Sequence, residues 1–329
     1  MMKSLFYLEP GRLEWREVPE PRLRGPGEAL VRPIAAATCD SDRLVVQGRF
    51  PLPGPYAMGH EAVAVVVDAG EKVTGVEVGD TVIVPWEVSC GACDRCLEGR
   101  TGRCAASAAY GFPVCADVGG LFADLVRVPY ADAQLVRAPA GDPAELVSAA
   151  DALAVAVAVL MPHLTARRML ILGWGGQGLY ILQLARAYGL RGLVYVDSDE
   201  GNRDLALRLG ATLVAERPGP ELGVFDRVID VSDHPDWPGL VVGTFMLAPD
   251  GVIVCIGHYD DVPLPGWMAY GLGVSFHAGL LGARPYVEDA ARLVASRRIV
   301  PSEVWSDTVD WDDLPDAIPE QGRKLVAVR

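Results

Sequence analysis

Two kinds of hydrophobic pattern divide the sequence. Residues 1–140 contain short apolar runs that are rich in β-branched residues and separated by glycine and proline, which predicts an all-β region with long loops. The predicted strands there are EALVRPIAAA, HEAVAVVVDAG, DTVIVPW and FADLVRVP. From Arg168 to Gly279, continuous apolar runs alternate with helical segments. That alternation is typical of a parallel sheet covered by helices.

A helix is predicted to connect the two regions. Asp142 can cap its N-terminus, Pro143 suits its first position and Glu145 completes a capping box. The helix is expected to continue through almost wholly apolar residues to about Leu160. After the alternating region come a last helix, YVEDAARLVASRR, and a strand in KLVAVR. One strand is too little for a third domain, so we expect it to return to the first.

Length and charge narrow the possible functions. At about 150 residues per domain, 329 residues predict two domains, and the change of pattern assigns residues 1–144 and 281–329 to one and 145–280 to the other. Asp and Glu number 43 against 29 Lys and Arg, a net charge of −14. A nucleic-acid or anionic membrane partner is therefore not expected, because such partners need a basic face.

The N-terminal segment lacks the apolar core of a signal peptide, and the longest apolar stretch is too short to span a bilayer. We therefore expect a cytoplasmic protein. In a reducing compartment its seven cysteines should be thiols or metal ligands rather than disulfides.

A glycine-rich motif marks the start of the alternating region. The segment GWGGQG, residues 173–178, matches G-x-G-x-x-G between a predicted strand and a predicted helix, which is the context of a dinucleotide site. Gly173 makes the tight turn, Gly175 lets the backbone approach the pyrophosphate, and Gly178 allows close packing of helix and strand. The helix N-terminus holds the phosphate charge. A glycine turn in an unrelated α/β sheet is the alternative.

The second strand of this region ends at Asp197. A carboxylate there accepts hydrogen bonds from the ribose hydroxyls of the adenosine and repels a 2′-phosphate, which favours NAD over NADP. Arg203 complicates this prediction, because its charge could offset that of Asp197. The candidate cofactor-binding residues are Gly173, Gly175, Gly176, Gln177, Gly178, Asp197 and Arg203.

Four of the seven cysteines, Cys90, Cys93, Cys96 and Cys104, lie within 15 residues. The residues between them are polar or glycine, so the segment cannot form its own apolar core. Four thiolates at these spacings can close a tetrahedral structural zinc site that folds the loop. An iron–sulfur cluster, which also takes four cysteines, is the alternative.

A second group of candidate ligands follows two predicted strands. Cys39-Asp40-Ser41-Asp42 comes after LVRPIAAA, and Gly59-His60-Glu61 opens the next strand. On their own, a Cys and a His 21 residues apart are as well explained by a core thiol. His60 is, however, the only histidine before residue 163, and it stands between a glycine and a carboxylate.

Taken together, these motifs resemble the zinc-dependent medium-chain dehydrogenase/reductase superfamily, which includes alcohol and polyol dehydrogenases. The resemblance covers essentially the whole chain. It implies a Rossmann doubly wound parallel sheet that binds NAD, together with a mainly β GroES-like catalytic domain that carries a zinc-binding lobe. It further implies one structural zinc on the four cysteines and one catalytic zinc.

The resemblance places the catalytic zinc on Cys39 and His60, with either Asp151 or Glu61 as third ligand. Asp151 lies in an apolar run, where an unpaired carboxylate is costly. The resemblance also implies that Asp42 orients His60 through its ring N–H, and that Ser41 hydrogen-bonds the substrate hydroxyl and passes its proton on.

The implied activity is hydride transfer between NAD(H) and a small alcohol, polyol or cyclitol, or the corresponding carbonyl compound, by a homodimer or homotetramer. Two alternatives are an NADPH-dependent carbonyl reductase on the same scaffold and a cofactor-binding regulator without turnover. The chain departs from many relatives in having no Thr in the helix after Asp151. It also has Arg43-Leu44-Val45 where some alcohol dehydrogenases place a proton-relay histidine. These departures leave the substrate open.

Overall fold

In a computed structural model the chain divides into two units, one formed by Met1–Val155 and Leu281–Arg329 and the other by Ala156–Leu280. The structure describes residues 1–50, 52–106, 108–113, 117–257 and 259–329. The division falls later than residue 144, the boundary inferred from the sequence. The reason is that residues 147–150 are buried in the first unit, where the Ala150 carbonyl accepts a hydrogen bond from the Trp86 backbone N–H.

Eighteen strands are described. They are β1 Met2–Glu9, β2 Arg12–Val18, β3 Ala29–Ala37, β4 Tyr56–Ala57, β5 Glu61–Ala69, β6 Thr81–Val84, β7 Glu87–Val88, β8 Ala108–Ala109, β9 Val126–Val128, β10 Val136–Arg137, β11 Met169–Leu172, β12 Leu193–Val196, β13 Leu213–Ala215, β14 Phe225–Asp230, β15 Leu247–Cys255, β16 Ser275–Ala278, β17 Asp307–Asp310 and β18 Leu325–Val328.

Eleven α-helices are described, and several short 3₁₀ turns lie between them. They are α1 Asp40–Val46, α2 Asp94–Leu97, α3 Ala131–Gln134, α4 Pro143–Leu146, α5 Ala152–Leu160, α6 Gln177–Ala187, α7 Glu200–Leu209, α8 Trp237–Gly243, α9 Gly266–Leu272, α10 Val287–Ala295 and α11 Leu314–Ala317.

The first unit is mainly β, as its sequence predicts. Its largest sheet has the order β10-β6-β5-β3-β18-β17, with β9 also paired to β3. The C-terminal strand β18 runs antiparallel to β3, with Val326 opposite Ala37, so the prediction that the tail returns to the first domain is confirmed. The β1–β2 hairpin and β4 form a separate sheet, and side chains from both sheets share one apolar core that includes Leu5, Val31 and Phe122.

The second unit contains the parallel sheet that the alternating pattern predicts. Its strand order is β13-β12-β11-β14-β15-β16, and all of its pairings are parallel. In sequence terms this order is 3-2-1-4-5-6, which is that of a doubly wound nucleotide-binding sheet. The predicted buried strands RMLIL and LVYVD become β11 and β12, and every residue of these two strands is buried.

The single helix predicted from Asp142 to Leu160 is wrong. After α4 the chain continues as a 3₁₀ turn over Val147–Ala150, leaves helical geometry at Asp151 with φ −145° and ψ −85°, and starts again as α5. The helical segments Pro143–Ala150 and Ala152–His163 are bent by 52° relative to each other. Asp151 lies between these two helical segments, and its carbonyl accepts the Val155 N–H of α5. The capping predicted for Asp142 is confirmed, because its side chain accepts the Ala144 N–H.

Helix α1 is a second departure from the sequence-based prediction, which is an all-β region with long loops over residues 1–140. Cys39 caps α1, with its sulfur accepting the Ser41 N–H, while the Asp42 side chain accepts the Cys39 N–H. This reciprocal pair is a capping box built on a thiol. Among the described residues, no single helix is long and apolar enough to cross a bilayer, although the bent pair around Asp151 passes that test by length and composition.

Candidate functional site

The ligand candidates of the first unit converge on one point. The His60 Nε2 atom lies 3.1 Å from the Cys39 sulfur and 3.6 Å from Oδ2 of Asp151. One ligand atom from each of Cys39, His60, Glu61 and Asp151 lies within 4.8 Å of all the others. The structure therefore brings together every residue that the sequence analysis proposed for the catalytic zinc.

Strand register explains how residues 21 positions apart meet. Strands β3 and β5 are antiparallel, and Ala37 lies opposite Glu61, so the segment that leaves β3 passes the segment that enters β5. Gly59 permits the approach because its φ is +94° and a Cβ there would lie 2.5 Å from the Phe122 backbone nitrogen. Only glycine fits both the backbone angle and the space.

The electrostatics of this group favour a cation. Burial raises the pKa values of the Cys39 thiol and the Asp42 carboxyl. Burial alone would lower the pKa of His60, but the neighbouring Cys39 and Asp42 outweigh it, and the pKa is raised well above its usual value. Thiolate, imidazole and carboxylate are all zinc ligands, and buried anions need a positive partner. The donor set thus fits a zinc ion.

Glu61 has a partner that the sequence analysis missed. Its Oε1 atom pairs with Lys324 Nζ, which also donates to the Thr38 carbonyl at 2.9 Å. Burial raises the pKa of Glu61, and the neighbouring Lys324 ammonium opposes that shift. The only available signal was that Lys324 is one of three lysines in a chain whose other basic residues are all arginine. Lys324 engages only Oε1 of Glu61, whereas Oε2 is buried and has no hydrogen-bond partner within the described residues.

Three further side chains surround the ligands. The Ser41 hydroxyl lies 2.6 Å from the Cys39 sulfur. Asp42 Oδ1 lies 3.6 Å from Nδ1 of His60, which is an ion-pair distance rather than a hydrogen bond. Within the described residues Nδ1 has no hydrogen-bond partner, so the predicted orienting hydrogen bond from the His60 ring to Asp42 is not formed. The ring of Phe112, which the sequence analysis did not single out, lies 5.2 Å from the imidazole.

The four-cysteine lobe forms a separate cluster in the same unit. One sulfur from each of Cys90, Cys93, Cys96 and Cys104 lies within 4.8 Å of the others. Backbone N–H groups point at these sulfurs: those of Cys90 and Ala106 donate to Cys104 at 3.3 and 3.4 Å, and those of Ala105 and Cys96 lower the pKa of Cys93 to about 6. Thiolates held in this way fit a closed, four-sulfur metal site.

The glycine-rich segment of the second unit has the predicted local structure. Gly173 follows β11 and donates its N–H to the Val196 carbonyl at 2.7 Å, which joins the turn to β12. Gly175 has φ +62°, Gly176 occupies the N-cap position, and α6 begins at Gln177. A strand, a tight glycine turn and a helix N-terminus therefore follow one another as a phosphate site requires.

Asp197 directly follows β12 and is fully buried. Its Oδ2 atom accepts hydrogen bonds from the Tyr195 hydroxyl at 2.9 Å and from Asn202 Nδ2 at 3.0 Å, and its Oδ1 atom accepts the Asp199 N–H at 2.9 Å. Arg203 Nη1 donates to the Asp197 and Ser198 carbonyls. The two charged residues predicted for the ribose site thus lie together at this strand end.

Comparison with known proteins identifies the scaffold. Residues 25–140 match the alcohol dehydrogenase GroES-like domain. A probable zinc-binding alcohol dehydrogenase of Mycobacterium tuberculosis is 31% identical over 278 residues, which cover 80% of this chain and 70% of that protein.

Solved structures also match the whole chain, and two of them contain a bound dinucleotide that bears on the cofactor. A putative zinc-binding dehydrogenase from Sinorhizobium meliloti, bound to NADP, is 26% identical with a TM-score of 0.84 and covers 100% of this chain and 99% of its own. An alcohol dehydrogenase from E. coli, complexed with NADH, is 25% identical with a TM-score of 0.85 and the same coverage. With its GroES-like domain, its doubly wound sheet and both cysteine-containing clusters, the chain belongs to the zinc-dependent medium-chain dehydrogenase/reductase superfamily, as an oxidoreductase of the alcohol dehydrogenase type.

Proposed function

We propose that the protein is an NAD-dependent zinc dehydrogenase that transfers a hydride between NAD(H) and an alcohol, polyol or cyclitol. The observation that carries the proposal is the convergence of the Cys39 sulfur, His60 Nε2 and Asp151 Oδ2 on one point. Three protein ligands of these types are typical of catalytic zinc, whereas four cysteines close a structural site.

Each residue of the candidate site has a proposed role. Cys39, His60 and Asp151 would hold the catalytic zinc, which when bound supplies a Lewis acid for the substrate oxygen. Ser41 lies beside Cys39 and can both donate and accept a hydrogen bond, so it suits the transfer of a proton from the substrate hydroxyl. Asp42 lies beside the imidazole of His60, and Lys324 holds Glu61 in place. The four cysteines would hold the structural zinc.

The preference for NAD rests on Asp197. Its carboxylate lies at the end of β12, where an anion disfavours a 2′-phosphate. Arg203 directs one guanidinium nitrogen at two backbone carbonyls, so it is already engaged at this strand end. The similar structures do not decide the question, because one was solved with NADH and the other with NADP.

A cofactor and substrate screen tests the proposal. Purified enzyme with two zinc ions per chain is incubated with NAD⁺ or NADP⁺ and a panel of primary alcohols, secondary alcohols, polyols and cyclitols, and reduced nicotinamide is followed at its absorbance. We expect turnover on at least one class, with a higher kcat/KM for NAD⁺. A higher kcat/KM with NADP⁺ would instead favour the NADPH-dependent carbonyl reductase. Absence of turnover with both cofactors in both directions would favour a cofactor-binding regulator.

We also propose that the protein forms a homodimer or homotetramer. Strand β16 lies at one edge of the six-stranded sheet. Helix α9, which precedes β16, exposes Trp267 and Tyr270 at 83% and 79% of their surfaces, with their rings 5.6 Å apart. Exposed aromatic side chains beside a sheet edge are suited to an interface. Light scattering after size exclusion should give twice or four times the chain mass, and Trp267→Asp should lower it.

A further inference from the structure

Tyr195 connects the two halves of the candidate nucleotide site. It lies in β12, two residues before Asp197, is fully buried, and donates its hydroxyl proton to Asp197 Oδ2 at 2.9 Å. Residues two apart along a strand point to the same side. The phenol and the carboxylate are therefore neighbours by strand geometry, on the side of β12 where the glycine turn lies.

The same side chain also fills the space beneath that turn. A Cβ atom added at Gly173 would overlap the Tyr195 hydroxyl oxygen and Cζ, and one added at Gly178 would lie 3.1 Å from Cε2 of the ring. The ring thus packs directly against the two glycines, and the hydroxyl extends past them to Asp197. One residue supports both the turn that would face the pyrophosphate and the carboxylate that would face the ribose.

The hydrogen bonds on Asp197 show what the hydroxyl contributes. Asp197 exposes no surface, so its charge is little screened by solvent and must be stabilised by donors. Burial raises its pKa, and the donors Asp199 N–H, Tyr195 and Asn202 act in the opposite direction. Oδ2 accepts two hydrogen bonds and Oδ1 accepts one. These three donors therefore fix the carboxylate, and with it a negative charge, at the end of β12.

We propose that Tyr195 is a positioning residue for dinucleotide selection. Its hydroxyl keeps Asp197 ionised and oriented at the end of β12, and this fixed negative charge favours a ribose 2′-hydroxyl over a 2′-phosphate. The inference rests on the proposed use of NAD. It assigns part of the preference for NAD over NADP to Tyr195, which belongs neither to the glycine motif at residues 173–178 nor to the acidic position at Asp197.

The test compares the binding of NADH and NADPH to wild type, Tyr195→Phe and a control, by fluorescence titration without substrate. The control is Tyr110→Phe, which removes another fully buried phenol hydroxyl, one that donates to the Arg127 carbonyl at 3.5 Å in the other unit. Phenylalanine keeps the ring under the glycine turn. We expect Tyr195→Phe to lower the ratio of the Kd for NADPH to the Kd for NADH about tenfold, mainly by tightening NADPH, because a carboxylate without this donor is less ionised and repels the 2′-phosphate less. Tyr110→Phe should leave the ratio of the two Kd values unchanged.

A background variant keeps the test decisive. In Asp197→Asn the preference for NADH should already be lost, and Tyr195→Phe should then leave the ratio of the two Kd values unchanged. If Tyr195→Phe weakens both dinucleotides equally, or retains the wild-type ratio, the residue has only a packing role and the inference is wrong while NAD dependence stands. If wild type itself prefers NADPH, the proposed use of NAD fails and the inference fails with it.

Discussion

Lys324 and Glu61 form an ion pair in which neither side chain reaches solvent: 3% of the lysine side chain and none of the glutamate side chain is exposed. The pair lies directly beside the candidate zinc ligands, since Glu61 follows His60 and Lys324 also binds the carbonyl of Thr38, the residue before Cys39. It joins the C-terminal strand β18 to both segments that carry the ligands. We interpret it as the support that fixes these segments in place.

Replacement of Lys324 by methionine should therefore destabilise the protein strongly. Removing one partner leaves a buried carboxylate without its counter-charge, which typically costs about 3–5 kcal/mol, so we expect Tm to fall by about 5 °C or more. The double variant Lys324→Met/Glu61→Gln should recover part of the loss, because no unpaired charge remains. Differential scanning calorimetry measures all three proteins.

The matched control for that experiment is Lys3→Met. Lys3 pairs with Asp312, but 58% and 80% of their side chains are exposed, and such pairs contribute little. Its Tm should stay within about 1 °C of wild type. A single variant Lys324→Met that is as stable as Lys3→Met would show that the buried pair is not a structural support.

Asp151 and Glu61 can be separated as zinc ligands by metal content. We expect two zinc ions per wild-type chain, about one in Asp151→Asn, and two in Glu61→Gln, because Asp151 Oδ2 faces His60 Nε2 whereas Glu61 is engaged by Lys324. Inductively coupled plasma mass spectrometry on freshly purified protein measures the ratio. The reverse result, with zinc retained in Asp151→Asn and lost in Glu61→Gln, would make Glu61 the third ligand. Iron in place of zinc would point to a cluster on the four cysteines.

Local signals account for what the sequence analysis predicted well. The glycine motif, the capping residues and the apolar strands are read over a few neighbouring positions, so β11, β12 and α6 were predictable, and so was the four-cysteine lobe. The break at Asp151 was not, because residues 144–160 contain no glycine or proline that would end a helix. Tertiary packing decides the backbone there.

Contacts over long sequence distances were beyond the reach of the sequence analysis. Lys324 is 263 residues from Glu61, and only the antiparallel pairing of β18 with β3 brings the two together. Phe112 and Tyr195 carry no motif of their own, and their places beside His60 and beneath Gly173 follow from packing. The ligand identities could thus be proposed from the sequence, but not the residues that hold them.

Ser41 should matter for turnover and not for metal content. Its hydroxyl lies 2.6 Å from the Cys39 sulfur, next to the point where the ligands converge, and positioned proton transfer contributes about 10²–10⁴-fold to rate. We expect Ser41→Ala to lower kcat by that order while both zinc ions remain. Ser41→Thr, which keeps a hydroxyl, should retain more activity. Near-normal kcat in Ser41→Ala would mean that the hydroxyl only supports the first turn of α1.

Asp230 should produce a specific pH dependence of stability. It is the last residue of β14, fully buried, and accepts hydrogen bonds from Ser232 Oγ at 2.8 Å and from the Tyr259 hydroxyl at 3.1 Å. Burial raises its pKa to about 6, although these donors oppose the shift, whereas an unfolded chain has an Asp pKa of about 3.9. Between these values the folded protein holds a proton that the unfolded chain has released. Its contribution to stability is therefore largest at low pH and falls as pH rises from about 4 to about 6.

The variant Asp230→Asn removes this titration. Comparison with wild type then shows whether the contribution of Asp230 to stability rises or falls with pH. The difference in Tm, wild type minus variant, should decrease between about pH 4.5 and 6 and stay constant from about 6.5 to 8. Asp226→Asn is the control, because the pKa of Asp226 is shifted in the opposite direction to that of Asp230. Burial opposes the shift there, but the N–H groups of Arg168 and Arg167 lower the Asp226 pKa, so its contribution is complete at higher pH and is lost only as pH falls below about 4. An increase in the Tm difference between wild type and Asp230→Asn from pH 4.5 to 6 would contradict this prediction. It would mean that the hydrogen-bond donors stabilise the ionised carboxylate by more than burial destabilises it.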